Sequence, residues 1–598
     1  LPNIETSAPS RISFRGEVAT FIAGDPKNTQ LEGETNVYLD DFEGAQTNVD
    51  VKGFFAWNLA SVPSEGFEGS EAGVNDLTAG HNRAKLAWYS VDPIFYTSQS
   101  RPQGIGNDDI SLNTTRRIFI NEIFPEQDLV QGQSTVINPL DLVYSPSERG
   151  PYNMSDDAID DVLSNPNNSW AGISRQLTST DFEQANVEYI EFWLLDPFLN
   201  NPSNPGGKLT INLGNISEDV IKDGRKQYEN GLPEDGNISL LPQTTWGTVV
   251  PQNQSLIYAF STLGQQRANQ DVGYDGYSDD EEGSVFSDFA GLEDPSKDNY
   301  TYFLNTEGNI FERYKKYNGL DGNSPDTFTD TNRGSTTQPD VEDINRDNTM
   351  NTIDSYFEYE LDITPASLAN SNNALIVDRK EGTVGLPNGN SATTKWYQFR
   401  IPLSEYSNTV GGITDFRSIR FARLYLNEFN QNTVLRFATL DLVRSDWRRF
   451  KLALDDEANN DNDNTEFNVG TIGIQENDGN YVSPPGVERE QLNNNNTIVR
   501  QNEQSLVVNV CELEPEDSRA VFKNINVDMR QYKKLKMFIH AEEGTSPGLM
   551  DGDAVGFIRM GNDFTQNYYQ IEIPLEVTVG VSTDEETVWP NNNEINIP

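Results

Sequence analysis

The sequence holds one cysteine and two histidines in 598 residues, and each shortage removes a class of chemistry. With Cys511 alone, no intramolecular disulfide framework can form. His81 and His540 leave too little imidazole for histidine-based zinc sites or a Ser-His-Asp triad. Positive charge is scarce as well: 43 Lys and Arg stand against 93 Asp and Glu, a formal net charge of −50. Phosphate binding needs a basic face, so the balance argues against nucleic acid. An anionic membrane surface is disfavoured for the same reason, unless divalent cations bridge. No run reaches the roughly 18 apolar residues of a membrane helix. The opening LPNIETSAPSRISFRGE has no apolar stretch of the signal-peptide kind, and the chain reads as a piece excised from something longer. Cys511 lies in LVVNVCELE, among β-branched residues and without a basic neighbour to favour the thiolate, so it is expected as a buried, inert thiol.

Apolar residues make up 35% and aromatics 10%, enough to build cores despite the polar average. The dominant local pattern is short period-2 segments between turn residues. SYFEYELDI (355–363) places Phe357, Tyr359, Leu361 and Ile363 on one face, and Tyr356, Glu358, Glu360 and Asp362 on the other. KLAWYSV (85–91), EYIEFWLL (188–195), KLTINLG (208–214), WYQFRIPL (396–403) and LKMFIHA (535–541) read as further strands. Asp-Gly or Asn-Gly turns follow at 235–236, 275–276, 321–322, 388–389 and 478–479. Helix signals are few: ISEDVIKDGRKQYENG (216–231), with Ser217 as N-cap and Gly231 as stop, and NIFERYKKYNG (309–319).

WYQFRIPL returns as YYQIEIPL at 568–575. EYIEFWLL, RSIRFARLYL (417–426) and KKLKMFIHA (533–541) share a framework of alternating charged and large apolar residues. Matching strands in matching order predict one sandwich used three times. The expected fold is therefore all-β: three β-sandwich modules of jelly-roll or carbohydrate-binding-module type, with a few short helices and long loops. The expected boundaries are 30–231 (a sandwich with a long insertion), 232–349 (an acidic Asp/Gly/Asn-rich connector), 350–452 and 463–585. LDDEANNDNDN (454–464) reads as the polar linker to the third.

Two acidic stretches have the spacing of a calcium loop. In VEDINRDNTMNTID (341–354), oxygen-bearing side chains fall at positions one, three, five, nine and twelve: Asp343, Asn345, Asp347, Asn351 and Asp354. Thr349 supplies the backbone carbonyl at seven. Asn348 takes position six, where glycine is usual and positive φ is required. The helix that should follow is replaced by the strand SYFEYELDI. In DVGYDGYSDDEE (271–282), Asp271, Asp275, Asp279 and Glu282 stand at one, five, nine and twelve, with Gly273 at three. Asx turns in an acidic loop give the same pattern without an ion. Structural calcium, tying down loops that no disulfide holds, is the expected cofactor.

Several phrases are more particular than a generic sandwich. YSPSERGPYNM (144–154), DFEQANVEYIEFWLLDPF (181–198), LGNISEDVIKDGRKQYENGLP (213–233), DVGYDGYSDDEE, RYKKYNGLDGNSP (313–325) and QPDVEDINRDNTMN (338–351) closely resemble the SprA/Sov family. These are giant outer-membrane translocons of the type IX secretion system of Bacteroidota, linked in gliding species to motility. The resemblance runs along most of the chain, most specifically from about 116 to 450. It implies a large outer-membrane barrel that exports folded cargo, a small cargo-receiving barrel protein at a lateral opening, a periplasmic plug and soluble insertions capping the extracellular end. It implies no catalytic residues. This chain lacks the long series of roughly ten-residue strands with aromatic girdles that such a barrel needs. It is expected to be a non-barrel region, part of the extracellular cap, with secreted cargo and other regions of the translocon as neighbours.

Two other classes remain to be weighed. YLDDFEG (38–44) resembles the opening strand of carbohydrate-binding modules, which suggests a calcium-stabilised glycan binder. Carboxylate pairs would suit a glycoside hydrolase, but none stands out from the acidic background.

Overall fold

In the computed structural model, residues 30–597 are described except 32–33, 36–38, 41, 43–45, 131, 250–257, 262–263, 271, 319–337, 451–453, 455–464, 488, 490, 495–496, 544–547 and 581. Strands dominate, as the alternation predicts, and the main body is a two-sheet sandwich. Its strands are β1 (Gln46–Asp50), β2 (Asn58–Leu59), β3 (Ala84–Tyr89), β4 (Leu140–Arg149), β5 (Trp170–Gln176), β6 (Val187–Leu195) and β7 (Gly207–Asn215). The chain returns to it as β8 (Ser355–Ile363), β9 (Ile376–Gly385), β10 (Ser391–Pro402), β11 (Asn408–Val410), β12 (Phe421–Asn427) and β13 (Thr433–Ser445). One sheet runs β9-β10-β6-β13-β4-β3, with β1 on β13 as well. The other runs β11-β8-β7-β12-β5-β2. All these pairings are antiparallel.

The order shows that residues 30–231 and 350–452 are not separate sandwiches. β7, from the first stretch, lies between β8 and β12, from the second. β6 likewise lies between β10 and β13. A short β strand buries an apolar face only against a second sheet, and here the two stretches build both sheets together. Each supplies about half of both layers. A single cluster between the sheets joins Leu142, Phe192, Leu194, Ile211, Leu213, Tyr359, Phe399, Leu424 and Phe437. The predicted alternation of SYFEYELDI holds, since Phe357, Tyr359, Leu361 and Ile363 are all buried. Tyr356 on the opposite face is buried too, in a small outer cluster with Ile216, Val410 and Phe421.

The strands of the first sheet are apolar on both faces because their outer face is covered as well. Trp193, Leu195 and Trp396 pack on Ile118 and Ile123 from the insertion between β3 and β4. Tyr89 stacks on Tyr314 at 4.0 Å, beside Phe95 and Phe303. Tyr314 ends the short helix Ile310–Tyr314, capped by Asn309, where the sequence predicts a helix over 309–319.

The segment 232–349 is no linker. Asn215 and Ser355 are register partners at the adjoining ends of β7 and β8, so residues 216–354 leave the sandwich and return to it at one point. A long insertion between paired strands adds little closure entropy, because that cost grows only logarithmically with length.

The predicted helix over 216–231 does not form. Only Glu229–Gly231 makes a 3-10 turn. Buried carboxylates capture the backbone amides instead. Glu342 accepts from Val220 N at 2.7 Å and Gln227 N at 2.9 Å, and Asp219 accepts from Asp223 N and Gly224 N. Helical propensity is a weak prior against such bonds, and Asp is prone to them.

Beyond β13 the strands pair two by two among the described residues: β14 (Glu466–Gly473) with β15 (Gln504–Cys511), and β16 (Val555–Gly561) with β17 (Tyr568–Pro574), besides shorter ribbons. Cys511 is exposed at the end of β15, against the expectation of a buried thiol. The predicted linker 454–464 lies outside the described residues, apart from Leu454.

Candidate metal centre

The 343–354 loop closes the neck of the insertion. Ser217 N donates to Asp354 Oδ1 at 3.0 Å, Glu218 N to Asn351 O at 2.7 Å, and Asn351 Nδ2 to Ile216 O at 2.6 Å. Glu218, buried, accepts from Ile344 N at 2.6 Å and Asn351 N at 2.8 Å. The backbone has the shape the spacing predicts, with Asn348 at φ 68°. The side chains are engaged within the protein. Asp343 accepts from Asp347 N, Asn348 N and Tyr258 Oη, and Lys226 Nζ lies 3.3 Å from its Oδ2. Asn345 Oδ1 accepts from Asp347 N. Asp347 Oδ1 accepts from the Thr349 amide and hydroxyl, and its Oδ2 meets Arg420 Nη2 at 3.0 Å. Asp343, Asp347 and Asp354 do not belong to the three acidic groups whose oxygens converge among the described residues.

One convergent group is Asp219, Asp223 and Glu342, all buried, in the loop described above. Each of its carboxylate oxygens accepts a hydrogen bond; Asp223 takes Arg225 N and Gln227 Nε2. These acids fold the loop.

The other two groups share Glu282. Oxygens of Asp275, Glu282 and Asp298 lie within 4.8 Å of one another, and so do those of Asp279, Glu282 and Asp294. Asp275, Asp279 and Glu282 are thus brought together from the second predicted loop; Asp271 lies outside the described residues. The Asp275-Gly276 turn, with Gly276 at φ 73°, leads through Ser278 into helix α1 (Asp279–Val285). Ser278 and Glu281 form its capping box, and one turn in, Glu282 points back at Asp275. Asp294 and Asp298 come from the following loop and were not foreseen. Their signal was only the phrase EDPSKDN, one acidic run among many.

Asp275 and Glu282 are each 1% exposed. Asp275 accepts from Tyr277 N at 3.0 Å and Ser296 Oγ at 2.5 Å. Glu282 Oε2 accepts from Ser296 N at 2.9 Å. Asp298 Oδ2 and Asp294 Oδ1 are shielded from solvent and accept no hydrogen bond. The nearest cations are engaged elsewhere: Arg149 pairs with Asp161 at 2.9 Å and donates to main-chain carbonyls, and Lys297 pairs with Asp161 at 2.6 Å. Burial, then mutual repulsion, pushes Asp275 up to about 7 and Glu282 up to about 9, and raises Asp294 and Asp298 as well.

Among the described residues no helix is long and apolar enough to cross a membrane. No curated protein matches the sequence. The SprA_N family, described as motility related/secretion protein, matches residues 282–598. That span takes in β8 to β13 and all the C-terminal ribbons, whereas three of the phrases that suggested the resemblance lie before it, at 144–154, 181–198 and 213–233. With just over half its length matched, the chain belongs to the SprA_N family of motility related and secretion proteins.

Proposed function

We propose that this chain is a non-barrel, non-enzymatic region of a type IX outer-membrane export channel, standing as a cap on its extracellular side. The family match over residues 282–598 carries this reading. The fold is consistent with it: the main body is a two-sheet sandwich, and its own insertions cover the outer face of the first sheet. A surface of net charge −50 repels passing acidic chains and stays solvated, which suits a structure beside an exit pore. Its neighbours would be the rest of the channel, a cargo-receiving small barrel protein, a periplasmic plug and the secreted cargo. A glycan-binding role draws little from the structure, since six of the eight tryptophans are fully buried and unavailable as a sugar platform. The test is to delete residues 46–598 from the full-length channel in its own cell. Blocked cargo secretion or a leaking outer membrane is the expected result. Normal secretion with an intact diffusion barrier would refute the proposal.

A further inference from the structure

We propose that Asp275, Glu282 and Asp298 bind one calcium ion, with Asp279 and Asp294 flanking it on the solvent side. This inference is independent of the export reading, because it rests on how these carboxylates are buried.

The protein itself supplies the control. Asp219, Asp223 and Glu342 are all buried, and donors within the protein meet every one of their oxygens. Around Glu282 the donors run out. Asp298 Oδ2 and Asp294 Oδ1 are shielded and without a hydrogen-bond partner. Buried anions without donors or counter-charge are strongly unfavourable. Arg149 and Lys297 offset this only in part, since both pair with Asp161. A cation held between the carboxylates would offset the rest.

The donor set fixes the kind of cation. Only carboxylate oxygens converge, without a thiolate or imidazole, which suits a hard ion and disfavours zinc. Magnesium keeps several waters in a strict octahedron. Calcium tolerates irregular, mostly protein-derived oxygen shells. Asp279 is exposed and marks the way in.

The site is also placed to act as a clip. Tyr152 N donates to Ser296 O at 2.8 Å, Tyr274 N to Tyr152 Oη at 2.9 Å, and Arg149 Nη1 to Pro295 O at 2.7 Å. These bonds hold segment 273–298 against the loop that follows β4. An ion at Glu282 would lock the segment from its other side, where a secreted protein richer in cysteine would use a disulfide.

The test is thermal unfolding of the 598-residue chain in calcium, in magnesium and in chelator, with a Glu282→Gln/Asp298→Asn double variant alongside. The wild-type midpoint should rise by several degrees in calcium over chelator, and by less in magnesium. The variant should ignore calcium, yet in chelator be at least as stable as wild type, because repulsion has been removed. A merely structural role would lower its stability in every buffer. Terbium luminescence excited through Tyr152 and Tyr274, which stack at 5.8 Å, should appear in wild type and vanish in the variant. A wild type indifferent to both metals and without terbium emission would overturn the proposal, as would a variant that keeps the calcium response. An equal response to magnesium would overturn the choice of calcium.

Discussion

Trp396–Leu403 and Tyr568–Leu575 are near copies in sequence and opposites in surroundings. In the first, Trp396, Tyr397, Phe399 and Ile401 are each no more than 2% exposed, and Phe399 stacks on Phe192 at 4.9 Å. In the second, Tyr569 is 81% exposed, and Ile571 and Ile573 are only half-buried. The octapeptide forms a strand in both places, because alternation is a local property. What differs is the number of neighbours. β10 has a strand on each side and a second sheet across the core, whereas among the described residues β17 pairs with β16 alone. A strand pattern therefore specifies extended structure and a face to be buried, but not that the face finds a cover. Cys511, exposed on β15, makes the same point.

The contrast can be tested by mutation. Phe399→Ala should cost about 3–5 kcal/mol, the range for removing a buried aromatic side chain, measured by denaturant unfolding. Ile571→Ala at the equivalent position should cost about 1 kcal/mol or less. Equal losses would mean that the C-terminal ribbons are as tightly packed as the sandwich.

A second difference is electrostatic. The carboxylates that burial raises lie between Asp141 and Asp441: Asp141 and Asp219 go up to about 6, and Glu218 and Asp441 up to about 7. Desolvation is the largest cause at each, exceeding even the Arg436 pair at 2.8 Å in the case of Asp141. Groups raised on folding contribute stability that is complete below the unfolded value near 4 and lost as pH rises through the folded value. The protein should accordingly lose stability between about pH 4.5 and pH 7.5 in chelator. Asp128, held down to about 2 by Arg500, works in the opposite sense, but only below about pH 4. A melting temperature that climbed steadily with pH over that window would contradict this account. The smallest expected effect is Tyr569→Ser, within about 0.5 kcal/mol, as for a largely exposed residue.

The sequence by itself determined the strands, several of the turns and the family. SYFEYELDI, EYIEFWLL and KLTINLG are strands within a residue or two of where their alternation places them, and the Asn388-Gly389 turn joins β9 to β10. These are short-range signals, set by side-chain period and backbone freedom. Only the tertiary structure decided that the strands flanking the acidic insertion share their sheets, because pairing Asn215 with Ser355 leaves no mark in either segment alone. It alone replaced the helix over 216–231 with a loop wound around Glu342, a residue distant in the chain. It also chose among the acids. By spacing, 343–354 was the fuller calcium loop, yet its carboxylates are met by Lys226, Arg420 and backbone amides, while Asp294 and Asp298 complete the group around Glu282. Ligand spacing is written along the chain. Desolvation and the absence of donors are properties of the folded interior, and they decide which carboxylates are left without a partner.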